Sequence, residues 1–341
     1  MTNLREWLAE QLVCPRHRVS LVHHASSLAC AHGCSFPIVD GVPVMLLAEQ
    51  QQTIGVATSS LTQKAHEGAP WYLETLGISD EEKYGILALA ETSSRIDPVV
   101  SYLVGATNGI AYKGLIGRLE SYPLPDIPLP EGGGRLLLDL GCSWGRWILA
   151  AARQGYRPIG IDPSLGAVMA ARRVAASLGV DAAFIVGDAR FLPLRSSALD
   201  VVYSYSVLQH LSPDDVQRVV REVSRVLKPG GQATVQMPTH LGIRCLYHQA
   251  RRRFRTPVGF EVRYWSLPGL RRAFSAIGPV RFSVDCYFGI GLQRSDLPLL
   301  SGLPAVAVRL SEAVKRLATV VSPLVWLADS VFVRAEKTGP S

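Results

Sequence analysis

The stretch Arg135-Leu-Leu-Leu-Asp-Leu-Gly-Cys-Ser-Trp-Gly-Arg146 decides the fold. Its first six residues form a nearly continuous apolar run, the pattern of a strand buried on both faces. Gly141, Ser143 and Gly145 then interrupt it, and residues 146–154 take up a helical pattern. Glycines there let the chain turn tightly and approach a ligand closely before the helix begins. Working outward, the same unit recurs. Residues 157–161 read as a second strand, 165–178 as an Ala-rich helix, 182–186 as a third strand and 200–204 as a fourth. Residues 213–227 carry apolar side chains at 216, 219, 220, 223, 226 and 227, a helical period, and 232–237 read as a fifth strand. Strands alternating with helices of this length imply βαβ units. The predicted fold class is therefore α/β, a doubly wound, mostly parallel, Rossmann-like sheet. Ligands bind such sheets outside the carboxyl ends of the strands.

Carboxylates stand at those ends. Asp139 closes the first strand and Asp162 the second, placed to bind both hydroxyls of a ribose. Gly187-Asp188-Ala189 follows the third, where a carboxylate can accept from an exocyclic amine. Ser204-Tyr-Ser-Val-Leu-Gln-His210 follows the fourth. Asp after a strand is also a common helix cap, but two such residues behind a glycine turn favour a ligand site.

The landmarks DLGCSWG, GIDPS, GDARFLP, SYSVLQHL and RVLKPGG, in this order, resemble those of class I S-adenosylmethionine-dependent methyltransferases with a type 11-like core. The resemblance is close over 134–238 and loose over 239–290. It implies a S-adenosylmethionine cofactor. Gly141 and Gly145 would line its methionine part, with Asp139 orienting the loop. Asp162 would hold the ribose, and Asp188 with Ala189 the adenine; Ser143 and Ser204 complete the expected cofactor set. Ser143 replaces that family's middle glycine. An Asn/Asp-Pro-Pro-aromatic motif, which marks many enzymes acting on exocyclic or amide nitrogens, does not follow the fourth strand. Transfer to an oxygen or carbon is the expectation. His210, beside the expected methyl, is the candidate catalytic base, since an imidazole titrates near neutrality.

Ahead of this core, Cys14-Pro-Arg-His17 and Cys30-Ala-His-Gly-Cys34 form two knuckles 12 residues apart. Three thiolates and an imidazole suit a closed, structural, tetrahedral zinc site. His23, His24 and His32 are rival ligands. The segment, with its ending Phe36-Pro-Ile-Val-Asp-Gly-Val-Pro-Val-Met-Leu47, resembles the small zinc-ribbon family that activates tRNA methyltransferases. Four regions are expected: a zinc ribbon at 1–48, a helical lid or linker at 49–130, the methyltransferase core at 131–296 and a helical and strand extension at 297–341.

The 341 residues are 48% hydrophobic and 18% charged, enough apolar material for a core and too little charge for a disordered chain. Six cysteines are too few for a disulfide scaffold, and thiols with ligand spacing point to a reducing, cytoplasmic setting. The longest uncharged runs near the C-terminus, 297–308 and 317–328, fall short of the roughly 20 residues a membrane span needs. No signal peptide or transmembrane segment is expected. The net charge is +7, and eight arginines against Glu261 between Arg244 and Arg272 account for all of it. Arg251, Arg255 and Tyr264 from this stretch are candidate substrate residues, for an anionic small molecule held by guanidinium forks; a solvated helix face, RNA backbone and an anionic membrane surface are the other readings of the stretch. Residues 306–321 read as an amphipathic helix that packs on the protein or on a dimer partner, with membrane binding as the lesser alternative.

The expected function is methyl transfer to a small-molecule acceptor, anionic, glycan-linked or a secondary metabolite. Two alternatives remain. One is an RNA methyltransferase using the ribbon and the basic stretch, since a zinc ribbon before such a core also resembles ribosomal RNA guanine methyltransferases. The other is a non-catalytic scaffold that activates a partner enzyme.

Overall fold

Backbone pairing, not only packing, joins the N-terminal ribbon to the rest of the chain. The structure, a computed structural model, describes residues 4–63, 71–92, 95–107, 114–289 and 293–339. A short helix, α1 (Glu6–Ala9), precedes strands β1 (Leu21–His23), β2 (Ser27–Cys30), β3 (Ser35–Val39) and β4 (Val42–Pro43), which form an antiparallel sheet in chain order. Just past β4, Val44 pairs in parallel with Val186 of the core sheet, and the Met45 N–H donates to the Val186 carbonyl at 2.7 Å. Leu12 pairs with Leu194, and the Val13 N–H donates to the Pro193 carbonyl at 3.0 Å. The ribbon thus caps one edge of the core sheet and satisfies backbone groups that an open edge would expose. Leu8, Leu12, Leu28, Phe36 and Met45 share one apolar cluster with Ile185 and Leu194.

The expected lid contributes α2 (Gly55–Leu61), α3 (Asp80–Ala90) and α4 (Pro98–Thr107). Its residues 64–70, 93–94 and 108–113 lie outside the described residues. Ser79 and Glu82 form a capping box at the start of α3.

The core follows as β5 (Leu136–Leu140), α5 (Arg146–Arg153), β6 (Arg157–Asp162), α6 (Leu165–Ser177), β7 (Ala183–Val186), β8 (Leu199–Ser204), α7 (Pro213–Val226), β9 (Leu227–Pro238), α8 (Ile243–Arg251), α9 (Leu267–Phe274), β10 (Val280–Cys286), α10 (Leu303–Ala318) and β11 (Ser330–Glu336). The sheet order is β10-β11-β9-β8-β5-β6-β7. Strands β5 to β9 run parallel, and β11 is antiparallel to both β9 and β10. The α/β, doubly wound reading holds. Helix α7 shows why: Ser212 caps it, Pro213 occupies its first turn, and Val216, Val219, Val220, Val223 and Val226 are buried.

The fold departs from the sequence reading in three places. Strand β9 begins at Leu227, not at 232, because Leu227 pairs with Leu199 while Gly230 and Gly231 exchange backbone hydrogen bonds with Lys337. The expected boundary at 296 cuts across the sheet, since β11 lies between β9 and β10. Finally, the apolar stripe of α10 does not pack inward. Val306, Leu310 and Leu317 face solvent, and the inner face carries the small residues Ala305, Val308, Ser311 and Ala318. Among the described residues no helix is long and apolar enough to cross a membrane.

Candidate cofactor and metal sites

The glycine turn lies between β5 and α5. Gly141 has φ +75° and Gly145 φ +85°. A β-carbon at Gly141 would overlap the Val207 side chain, so the turn sits directly against the loop after β8. Ser143, at the family's glycine position, adopts φ +45°, in the left-handed region that costs a side-chain-bearing residue roughly 1 kcal/mol. Its N–H donates to Asp162 Oδ2 at 3.0 Å, and the Ser164 N–H donates to Asp162 Oδ1 at 2.9 Å. Burial drives the Asp162 carboxyl up to about 6, against the pull of these two N–H groups.

Asp139 is completely buried and neither oxygen has a partner among the described residues. Burial, and then the Asp162 charge, push its pKa well above the usual carboxylate range. Its cross-strand neighbour is Tyr203, whose hydroxyl is also orphaned, and Gln236 on β9 is a third such residue, through Nε2. Tyr203 pairs with Thr234, two residues before Gln236, so all three project from one face of the sheet. Buried polar atoms are nearly always satisfied in folded proteins. A group of orphans at the carboxyl edge, beside the glycine turn, marks a place for a polar ligand. The donor and acceptor set fits a nucleoside carrying an amino acid: Asp162 for vicinal hydroxyls, Asp139 for an ammonium.

The other expected cofactor residues are placed differently. Asp188 is buried and bound by Arg190, with Nη2 at 2.7 Å from Oδ2 and Nε at 3.1 Å from each oxygen. Arg190 also reaches Asp215 at 3.1 Å and the Gln51 carbonyl at 2.7 Å. Ala189 is partly buried against the same cluster as the ribbon. Ser204 is fully buried and donates to the Leu140 carbonyl at 2.9 Å, which ties β8 to β5.

His210 Nδ1 lies 2.7 Å from the Phe260 carbonyl, which only accepts, so Nδ1 carries the proton. Its ring stacks on Phe260 at 3.9 Å, and Gln209 Nε2 approaches its Nε2 at 3.2 Å. Burial first, and Arg263 in addition, lower its pKa against the opposing effect of the Phe260 carbonyl. The three substrate candidates have different immediate partners. Arg255 is engaged by Glu261 at 2.6 Å, Arg251 lies over the Tyr247 ring on the outside of α8, and Tyr264 sits under Arg252.

Two networks escaped the sequence reading. Arg146, the residue after Gly145, donates to Asp296 at 2.6 Å and to the Pro123 carbonyl at 2.9 Å, so one buried guanidinium binds the turn to segments on both sides of the core in sequence. Tyr205 donates to Asp285 at 3.0 Å, and Ser330 donates to the same carboxylate oxygen at 2.7 Å. Neither acid has a local motif to announce it.

In the ribbon, the donor atoms of Cys14, His17, Cys30 and Cys34 all lie within 4.8 Å of one another. His17 Nδ1 is 3.4 Å from the Cys30 sulfur, 3.5 Å from Cys34 and 3.7 Å from Cys14. A zinc tetrahedron with ordinary bond lengths sets nitrogen and sulfur about 3.6 Å apart. The donor set therefore fits. Gly33, at φ +87°, closes the second knuckle. His32 lies against the His17 ring and, like His23 and His24, stands outside the group. Burial and the neighbouring thiols push Cys34 up to about 11. Burial also opposes ionisation of Cys30, but the His17 ring and nearby N–H groups hold it at about 6.

Residues 137–231 match a family model described as a methyltransferase domain. The chain is 36% identical over 107 residues to the dimethylglycine N-methyltransferase of Parasynechococcus marenigrum, covering 30% of this chain and 37% of that protein. It is 35% identical over 107 residues to the ubiquinone biosynthesis O-methyltransferase of Brucella anthropi, covering 31% and 42%. It is 30% identical over 194 residues to the ajmaline N-methyltransferase of Rauvolfia serpentina, covering 54% and 65%. The chain thus spans less than two thirds of the length of each of these relatives.

Proposed function

We propose that this chain is a S-adenosylmethionine-dependent methyltransferase acting on a small molecule, with a zinc-bearing ribbon as a structural element. The observation that carries the reading is the pairing of the left-handed glycine turn with Asp162, beside the orphaned Asp139. The methyltransferase domain match over the same residues supports it. None of the three relatives described above is named for an RNA substrate, and two are named for N-methylation. The acceptor atom is accordingly an oxygen, carbon or nitrogen.

S-adenosylmethionine, when bound, supplies an electrophilic methyl carbon on a sulfonium. The chain's own work is then mainly positioning for an in-line displacement. Asp162, held by two backbone N–H groups, accepts from the ribose hydroxyls. Asp188, whose two oxygens take four contacts from the Arg190 backbone and side chain, accepts from the adenine amine by sharing one of them, next to the Ala189 backbone. Asp139 faces the methionine ammonium. His210, neutral with its proton on Nδ1, offers Nε2 to an acceptor proton once Gln209 yields that position. Cys14, His17, Cys30 and Cys34 would hold the zinc, which leaves no open coordination position and fixes the ribbon against the β7 edge.

Calorimetric titration with S-adenosylmethionine and S-adenosylhomocysteine tests the reading. Micromolar binding that Asp162→Ala abolishes is the expected result, followed by transfer of a labelled methyl group to small-molecule pools. Absence of binding by the zinc-loaded wild type would end it and leave the non-catalytic scaffold as the better account.

A further inference from the structure

Two helices at the carboxyl edge of the sheet are amphipathic in the wrong sense for a free surface. In α10 the outward residues Leu303, Val306, Leu310 and Leu317 are half or more exposed, and Val320 just beyond is 84% exposed. In α8, Ile243, Leu246 and Tyr247 face out, followed by Phe254. Exposed arginines are interleaved with them: Arg244 and Arg251 on α8, Arg309 and Arg316 on α10. Neither helix exposes an unpaired acid. Helix α8 contains none, and Glu312 of α10 is half-buried and bound to Lys315 at 3.4 Å.

The start of α8 is tied to the chain that follows α10. Asp329, which follows α10 and the 3-10 turn Ser322–Leu327, accepts from the backbone N–H groups of Arg244 at 2.8 Å and Cys245 at 3.1 Å in the first turn of α8. Trp326 in that turn is 44% exposed. Both segments leave the sheet at its carboxyl edge, because β9 and β10 end there and β11 starts there.

We propose that the outward faces of α10 and α8 are docking surfaces for an anionic membrane. Large apolar side chains beside arginines are what an interfacial helix presents to lipid headgroups. Each arginine near such a surface contributes about 1 kcal/mol through the anionic leaflet's potential. A second copy of this chain is a poorer occupant. A two-fold contact sets a patch against itself, and here arginines would meet arginines without an acid to answer them. Docking in this way would bring a bilayer to the edge where the cofactor site opens. The proposal does not depend on the methyltransferase reading, since lipid and cofactor binding are measured separately.

The test is sedimentation of the full zinc-loaded chain with vesicles of phosphatidylcholine alone, or with about one-third phosphatidylglycerol. The protein is expected to sediment with the anionic vesicles only. The double substitution Leu310→Gln with Leu317→Gln should lower the partition coefficient about tenfold or more, by removing two apolar side chains from the lipid boundary. Arg309→Gln with Arg316→Gln should lower it as well and flatten its dependence on salt. All four positions are exposed, so melting temperature and circular dichroism should not change. Wild type that stays in solution with anionic vesicles would overturn the proposal. So would variants that partition like wild type, or a dimer in light scattering that the leucine pair dissociates while vesicles capture nothing.

Discussion

Arg190 grips Asp188 through both carboxylate oxygens, and the two side chains are more than nine-tenths buried. The residue expected to read the adenine is therefore held rigid by its neighbour two positions on. Removing one partner of a buried ion pair typically costs about 3–5 kcal/mol, because the other charge is left unanswered. Arg190→Met should lower stability by that order in denaturant titrations and weaken S-adenosylmethionine binding. Asp188→Asn with Arg190→Met should recover part of the stability but not the affinity. Equal cofactor affinity in the single variant and wild type would show that Asp188 needs no positioning.

The raised pKa of Asp162, about 6, makes opposite predictions for stability and for binding. Its carboxyl is more basic folded than unfolded, so its contribution to stability is greatest below about pH 4 and is lost as pH rises through 6. Ribose hydroxyls, by contrast, donate to the ionised form. The dissociation constant for S-adenosylmethionine should be flat above about pH 7 and rise about tenfold per unit well below 6. Isothermal titration across pH 5 to 8, compared with Asp162→Asn, checks it. A pH-independent affinity in wild type would remove Asp162 from the ribose site.

Local pattern was sufficient for the sheet's parallel half and for the clustering of Cys14, His17, Cys30 and Cys34. Buried parallel strands are apolar runs, and α7 declares its inner face through valines at helical spacing, so each could be read within a dozen residues. The cluster of Cys14, His17, Cys30 and Cys34 was legible because both knuckles are short. What escaped depends on distant partners. Strand β11 finds its place between β9 and β10 only through pairing across roughly a hundred residues. Asp296 reads as a surface acid until Arg146 is seen to bury it, and Asp285 until Tyr205 does. Helix α10 has the expected period, but its stripe does not pack on the protein itself, since Val306, Leu310 and Leu317 face solvent. A period shows where the apolar stripe is, not which side of the helix the protein covers.

Ser143 holds a left-handed backbone that its side chain disfavours, while its N–H still reaches Asp162. Ser143→Gly should leave that hydrogen bond in place and stabilise the protein by up to about 1 kcal/mol, less the entropy glycine brings to the unfolded chain. A β-branched residue is worse than serine at positive φ. Ser143→Val should therefore lose cofactor affinity by distorting the turn, with a smaller loss of overall stability. Thermal melts and calorimetry on the two variants separate these effects. Unchanged binding in Ser143→Val would mean that the turn's geometry does not control the site.

The last prediction concerns the ribbon and its hold on the core. If Cys14, His17, Cys30 and Cys34 bind one zinc, elemental analysis of the purified chain should give one metal per molecule, and Cys30→Ser should abolish it. The ribbon's apolar residues belong to the same cluster as β7, and its backbone pairs with Val186. Loss of zinc should therefore lower the melting temperature of the whole protein in one transition. Structural zinc sites contribute folding free energy directly, and removal usually unfolds the segment they hold. Val186 leads into Gly187 and Asp188, so S-adenosylmethionine affinity should fall with it. A metal-free variant with wild-type melting and wild-type affinity would show that packing alone secures the ribbon, and that its sulfur cluster does not support the cofactor site.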